Sequence, residues 1–235
     1  MSTLEYLFKR RQNSELKRES ITATAASRST SGTQYGLTIL ICPTFPSVPL
    51  RSLDEIEDFV AEQPSTYPEK YFYDSMRRIQ DGMLNTAQQH LELNKYGLVF
   101  HAGTLEVGNA GAEKVPYTQF AALVSRIAPV SRFAYDFVQD TVTNLLVRLL
   151  MFRFDGVCLQ FRLSMGDEVS APGANYSCIE DRITAETTTT IEGLREGLVE
   201  TITNLTEQIL WSFNRREPKL KSFVEEILKK SRQLF

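Results

Sequence analysis

Gly36 opens a continuous apolar run, Leu37-Thr38-Ile39-Leu40-Ile41-Cys42, which Pro43 closes. A short β-branched run that is apolar on both faces predicts a strand buried in the middle of a sheet. Pro43, Pro46 and Pro49 make its exit an extended loop, because proline fixes φ and lacks the N–H a helix needs. Ser52-Leu53-Asp54-Glu55 fits a capping box, serine at the cap and glutamate three residues on. Leu53, Ile56, Phe59 and Val60 then share one helical face until Pro64 ends it. Residues 65–82 hold Tyr67, Tyr71, Phe72 and Tyr73, then Arg77, Arg78 and the turn-forming pair Asp81-Gly82. A hairpin is predicted next, Tyr96 to Ala102, a turn near Gly103, then Thr104 to Val107, with residues 108–114 as a flexible tip.

A long helical region is predicted after Pro116, broken near Pro129. Phe120, Val124 and Ile127 form one stripe; Phe133, Phe137 and Val138, then Val142, Leu145, Leu146 and Leu149, form the next. Asp155-Gly156 turns into a strand where Val157, Leu159, Phe161 and Leu163 alternate with Cys158, Gln160 and Arg162, a half-exposed pattern. Residues 165–175 read as loop and 179–190 as a polar strand. Two amphipathic helices close the chain, one on Leu194, Leu198, Ile202, Leu205 and Ile209 up to Trp211 and Phe213, the other on Leu220, Phe223, Val224, Ile227 and Leu228. Residues 3–19 predict a helix with a thin apolar face (Leu4, Leu7, Phe8, Leu16), one that needs a neighbour to pack against, such as an upstream domain. Residues 20–35 are a Ser/Thr/Ala-rich linker.

Strands and helices mix without βαβ alternation. The predicted class is α+β, a mixed sheet of about four to six strands with helices packed on it, plus two amphipathic C-terminal helices. The predicted organisation is an N-terminal helix and linker over 1–35, then one α+β domain over 36–235.

Charge changes this picture at the ends. Residues 1–35 carry six Lys/Arg against three Asp/Glu, residues 36–210 thirteen against 23, and residues 211–235 seven against three. The middle therefore repels phosphate and both ends attract it. The candidate nucleic-acid contacts are Lys9, Arg10, Arg11, Lys17 and Arg18, with Arg215, Arg216, Lys219 and Lys221. The same clusters also fit solvated faces of terminal helices, and the acidic body argues against a stand-alone, high-affinity binder. Three cysteines, Cys42, Cys158 and Cys178, are odd in number and sit in or beside apolar runs, the pattern of reduced thiols. With no apolar stretch near the length of a spanning helix and no signal-peptide core, the expectation is a soluble cytoplasmic protein without membrane contact.

Candidate chemistry is sparse. His90 and His101 are the only histidines, Cys42 lies in a buried-strand pattern where thiols are inert, and no Gly-x-Ser-x-Gly elbow occurs. Neither Cys-x-x-Cys nor His-x-x-x-His spacing is present, nor a phosphate-cradling glycine loop. Asp155, Gln160 and Arg162 loosely follow a PD-D/E-x-K nuclease arrangement, which demands an acid where Gln160 stands and usually a lysine where Arg162 stands. The plainer reading is a turn aspartate before a row of polar strand residues. The tyrosine cluster at 67–73 fits either stacking of unpaired bases or a lid over the core. No catalytic residue, metal or cofactor is assigned.

Taken in order, several segments resemble the C-terminal region of bacterial Schlafen-like, AlbA-type DNA-binding proteins. They are LTILICPTFPSVPL (37–50), RRIQDGML (77–84), a Y-x-x-x-F-x-x-G-x-x-E strand pair (Tyr96, Phe100, Gly103, Glu106), GVCLQFRLS (156–164), EDRITAET (180–187) and LWSFN (210–214). Their succession covers residues 37–214. The AlbA-like domain that carries that family's nucleic-acid contacts lies outside the match, so the resemblance transfers no catalytic residue; it implies a regulatory or defence-associated setting. The expected function is a non-enzymatic interaction module of a nucleic-acid-associated system. It would act through a protein partner or upstream domain, with the basic termini near nucleic acid. A metal-dependent nuclease using Asp155, Glu168, Glu180 and Asp181, and a self-assembling structural protein, are the alternatives.

Overall fold

The computed structural model describes residues 35–44, 48–62, 76–85, 90–105, 107–110, 115–138, 144–161 and 177–233. The expected helix at 3–19, the tyrosine cluster at 67–73, and Glu168 and Arg162 lie outside them.

The strands are β1 (Tyr35–Pro43), β2 (Arg77–Ile79), β3 (Gly82–Asn85), β4 (His90–Asn94), β5 (Val99–Leu105), β6 (Gly108–Ala110), β7 (Val115–Gln119), β8 (Asn144–Phe152), β9 (Cys158–Gln160) and β10 (Arg182–Thr190). The helices are α1 (Leu53–Glu62), α2 (Phe120–Val138), α3 (Ile191–Arg195), α4 (Leu198–Ser212) and α5 (Leu220–Gln233). The class is α+β, as the pattern predicts, with a larger sheet: seven antiparallel strands in the order β10-β8-β1-β5-β4-β3-β2. A second sheet, β6-β7-β9, joins an antiparallel to a parallel pair.

β1 lies inside the sheet, between β8 and β5, and its alternate residues are buried on both faces. Leu37, Ile39 and Ile41 belong to the main core, while Thr38 and Leu40 are buried on the other side with Phe100 and Leu150. The expected linker ends one residue late, since Tyr35 already pairs with Leu105.

Several local expectations fail for physical reasons. The turn placed at Gly103 is absent: β5 runs through Gly103, which pairs with Leu37. The hairpin turns instead at Lys95–Leu98, where Gly97 has φ +82 and a Cβ would come within 2.9 Å of Leu50 and Pro43 side-chain carbons. Asn94 fixes the turn, its Oδ1 accepting from the Tyr96 N–H at 2.7 Å. Of the helix expected across 142–149, residues 144–149 belong instead to strand β8, paired along its length with β1 and β10.

α2 is unbroken at Pro129. Proline removes one backbone bond, to the Ser125 carbonyl, and Ser125 is an exposed residue. The buried residues of α2 run from Phe120 to Val138, and it packs on β1 and β5 as well as on α4 and α5. The capping box of α1 forms as predicted, Ser52 N–H to Glu55 Oε2 at 2.6 Å and Glu55 N–H to Ser52 Oγ at 3.2 Å. Phe59 then meets Phe133 and Phe137 at ring distances of 5.4 and 5.2 Å. Arg51 closes the junction, donating from Nε to the Phe137 carbonyl at 2.8 Å. β9 is shorter than the strand expected over 157–163, and its Cys158, Leu159 and Gln160 are all buried.

Candidate interaction site

The site grows from the way α4 stops. Asn214 adopts a left-handed conformation, φ 49. The Asn214 N–H donates to the Trp211 carbonyl at 2.9 Å and the Arg215 N–H to the Leu210 carbonyl at 3.0 Å. These are the paired bonds of a Schellman reversal, with asparagine at the position that needs positive φ. The reversal turns Arg215 and Arg216 back along the helix end. Arg215 lies 4.1 Å from the centroid of the Phe161 ring and pairs with Glu217 at 3.1 Å. Phe161 is itself stacked on Phe120 at 4.5 Å, so Arg215 caps a ring column rather than facing solvent freely. Arg216 is exposed and lies 5.3 Å from the Trp211 ring.

Trp211 is the chain's single tryptophan and is 62% exposed. Ile179, just before β10, is 72% exposed. The segments that carry them are tied together by the Ile179 N–H, which donates to the Ser212 carbonyl at 3.1 Å, and by Ser212 Oγ, which bonds Glu180 Oε2 at 3.0 Å. Among the described residues only Val48 is another exposed large hydrophobic. Covering Trp211 and Ile179 would take roughly 200 Å² of apolar surface out of water, about 5 kcal/mol before the costs of association. The surrounding charge is mixed. Arg216 and Arg182 lie among exposed Glu180, Asp181 and Glu207, which suits a protein surface better than a polyanion.

The predicted nucleic-acid residues separate into two groups. Lys9, Arg10, Arg11, Lys17 and Arg18 lie outside the described residues. Arg215, Arg216 and Lys219 share the turn between α4 and α5, and Lys221 follows in the first turn of α5. Lys221 pairs with Glu200 at 3.0 Å, which also raises the pKa of its ammonium. Of these four, Arg215 and Lys221 have carboxylate partners, while Arg216, over the Trp211 ring, and Lys219 have none among the described residues.

Of the acids of the nuclease alternative, Asp155, Glu180 and Asp181 lie around the segment that carries Cys178. Arg153 and Phe154 donate to the Asp181 carbonyl, and the carboxylates of Glu180 and Asp155 add to the effect of burial in pushing the Cys178 thiol up to about 11. Among the described residues, however, no three such groups are arranged to hold a metal ion. Gln160 is buried, and among the described residues neither its amide nitrogen nor its amide oxygen has a hydrogen-bond partner. His101 is buried in β5, opposite Ile39 and Leu91.

Sequence reasoning placed Trp211 at the end of an apolar stripe. Its phase gives the opposite answer: at 3.6 residues per turn it aligns with Glu200, Asn204 and Glu207, all exposed, and not with Leu198, Ile202, Leu205 and Ile209. Ile179 gave no such signal. No helix among the described residues is long and apolar enough to cross a membrane. No protein-family model, curated protein or solved structure matches the chain.

Proposed function

We propose that this chain is a non-enzymatic interaction module of a nucleic-acid-associated system, acting through a protein partner at Ile179, Trp211 and Arg216. The observation that carries the reading is an exposed tryptophan at the end of α4, with a segment that carries an exposed isoleucine hydrogen-bonded to the same helix end. Tryptophan and arginine are the residue types that dominate binding energy at protein interfaces. The mixed local charge favours a protein over a nucleic acid at this point. The resemblance of residues 37–214 to the C-terminal region of Schlafen-like, AlbA-type proteins supports a regulatory or antiphage-defence setting in the cytoplasm. The basic termini would then lie near the nucleic acid.

The test is light-scattering mass of the chain, alone and with short single- and double-stranded DNA and RNA, at low and moderate salt, repeated with Arg216→Ala. A salt-sensitive complex supports the nucleic-acid part of the reading. Cleavage of the probe in magnesium, lost in Asp155→Asn or Asp181→Asn, would replace the reading with the nuclease. Absence of any complex at either salt removes the nucleic-acid part and leaves a purely protein-binding module.

A further inference from the structure

The seven-stranded sheet has two edges of different character. β2 is three residues long and begins with two arginines. β10 is nine residues, Arg182–Thr190, paired to β8 without interruption. Long edges are normally blunted by proline, lysine or a bulge, and β10 has none of these; five of its nine residues are threonine. The helix α4 packs along it, and one side chain of that helix bonds its outward backbone. Gln208 of α4 donates from Nε2 to the Glu186 carbonyl at 2.8 Å and accepts the Glu186 N–H on Oε1 at 3.1 Å. These are the two bonds a residue of a neighbouring strand would make. A third bond, from Nε2 to the Asn204 carbonyl at 3.2 Å, holds the amide in place.

Glu186 is the central residue of β10, so the block sits at the centre of the edge. Because hydrogen-bonding direction alternates along an antiparallel strand, Thr184 and Thr188 present their N–H and C=O groups on the same outer side as Glu186. A two-fold axis beside Glu186 would set Thr184 against Thr188 of a second copy, and Arg182 against Thr190. Threonine pairs of this kind stabilise strand pairing. Glu186 would face its own counterpart, its charge already met by Arg148 at 2.6 Å across β8.

We propose that the outer edge of β10 is a strand-pairing surface for a second copy of this chain, held shut by Gln208. The lock is specific to the central residue, and its removal frees the outward N–H and C=O of Glu186 between those of Thr184 and Thr188.

The experiment is sedimentation or light-scattering mass over a wide concentration range for the whole chain, its Gln208→Ala and Gln208→Ser variants, and Gln208→Ala combined with Thr184→Pro. Freeing Glu186 adds two backbone bonds across the symmetric pair, a tightening of self-association of about 30-fold. Gln208→Ala and Gln208→Ser should approach the mass of two chains at concentrations where the parent does not. Thr184→Pro, which deletes one outward N–H, should return Gln208→Ala to the parent's behaviour. The proposal is overturned if both folded Gln208 variants match the parent's mass throughout. It is overturned equally if their association survives Thr184→Pro.

Discussion

Asn214 carries the geometry of the Trp211–Arg216 pair. Its positive φ permits the two bonds that reverse the chain after α4, and only after that reversal does Arg216 return to the tryptophan ring. A residue with a branched Cβ in this conformation is forced against the adjacent carbonyl, a penalty of roughly 1–2 kcal/mol, which asparagine partly avoids and glycine avoids altogether. Asn214→Val is therefore expected to lose about 1–2 kcal/mol of stability, and Asn214→Gly to stay within about 0.5 kcal/mol of the parent. For a domain of this size that is a fall in Tm of about 2–4 °C per kcal/mol. Urea unfolding followed by circular dichroism measures the stability. Acrylamide quenching of the single tryptophan measures the geometry, because displacing Arg216 uncovers one face of the ring. Asn214→Val should show both a lower midpoint and stronger quenching, and Asn214→Gly neither. A valine variant with the parent's midpoint and quenching would refute the role assigned to the reversal.

Trp211→Ala should change stability by no more than about 0.5 kcal/mol in the same unfolding assay, since the ring is mostly in solvent, while removing the proposed partner contact. Gln160→Met should stabilise the fold by about 1–3 kcal/mol, because it replaces two buried, unpartnered polar atoms with an apolar chain of similar shape; a loss of stability would reveal a partner for the amide. Burial holds the Cys178 thiol at about 11, so it should resist alkylation at pH 8 in the folded chain and react on unfolding. Its folded pKa is raised, so the stabilisation is fully present below the unfolded value near 9 and is lost as pH climbs from there to about 11. The unfolding free energy across that window should fall more in the parent than in Cys178→Ala, as read from urea titrations.

The central strand and the capping box were readable because each rests on local chemistry: an uninterrupted apolar run in one case, a Ser–Glu spacing in the other. β8 was misread for the opposite reason. Asn144–Phe152 is apolar on nearly every residue, so Leu145, Leu146 and Leu149 satisfy a helical period while Leu145, Val147, Leu149 and Met151 are the residues that alternate into the core. Composition could not choose between the two periods; pairing with distant β1 and β10 did. At the hairpin two glycines competed, and only the backbone at Gly97 needs positive φ. The interaction site was half legible. The helical phase of Trp211 marks it as exposed, but nothing local announces that Ile179 arrives beside it, because the bond to Ser212 joins segments far apart in sequence.

The position of β1 also constrains the order in which this chain can fold. Its two partners, β5 and β8, lie at Val99–Leu105 and Asn144–Phe152, and β10 can be added only once β8 is in place. β2 to β5 form a meander of adjacent strands and can assemble from near-neighbour contacts. The half of the sheet beyond β5 has to wait for long loops to close, which is slow relative to local pairing. On a ribosome, β1 therefore emerges first and must remain without its second neighbour until the segment through Phe152 has been made. Its apolar run, Leu37 to Ile41, is in that interval the stretch of chain most in need of a chaperone.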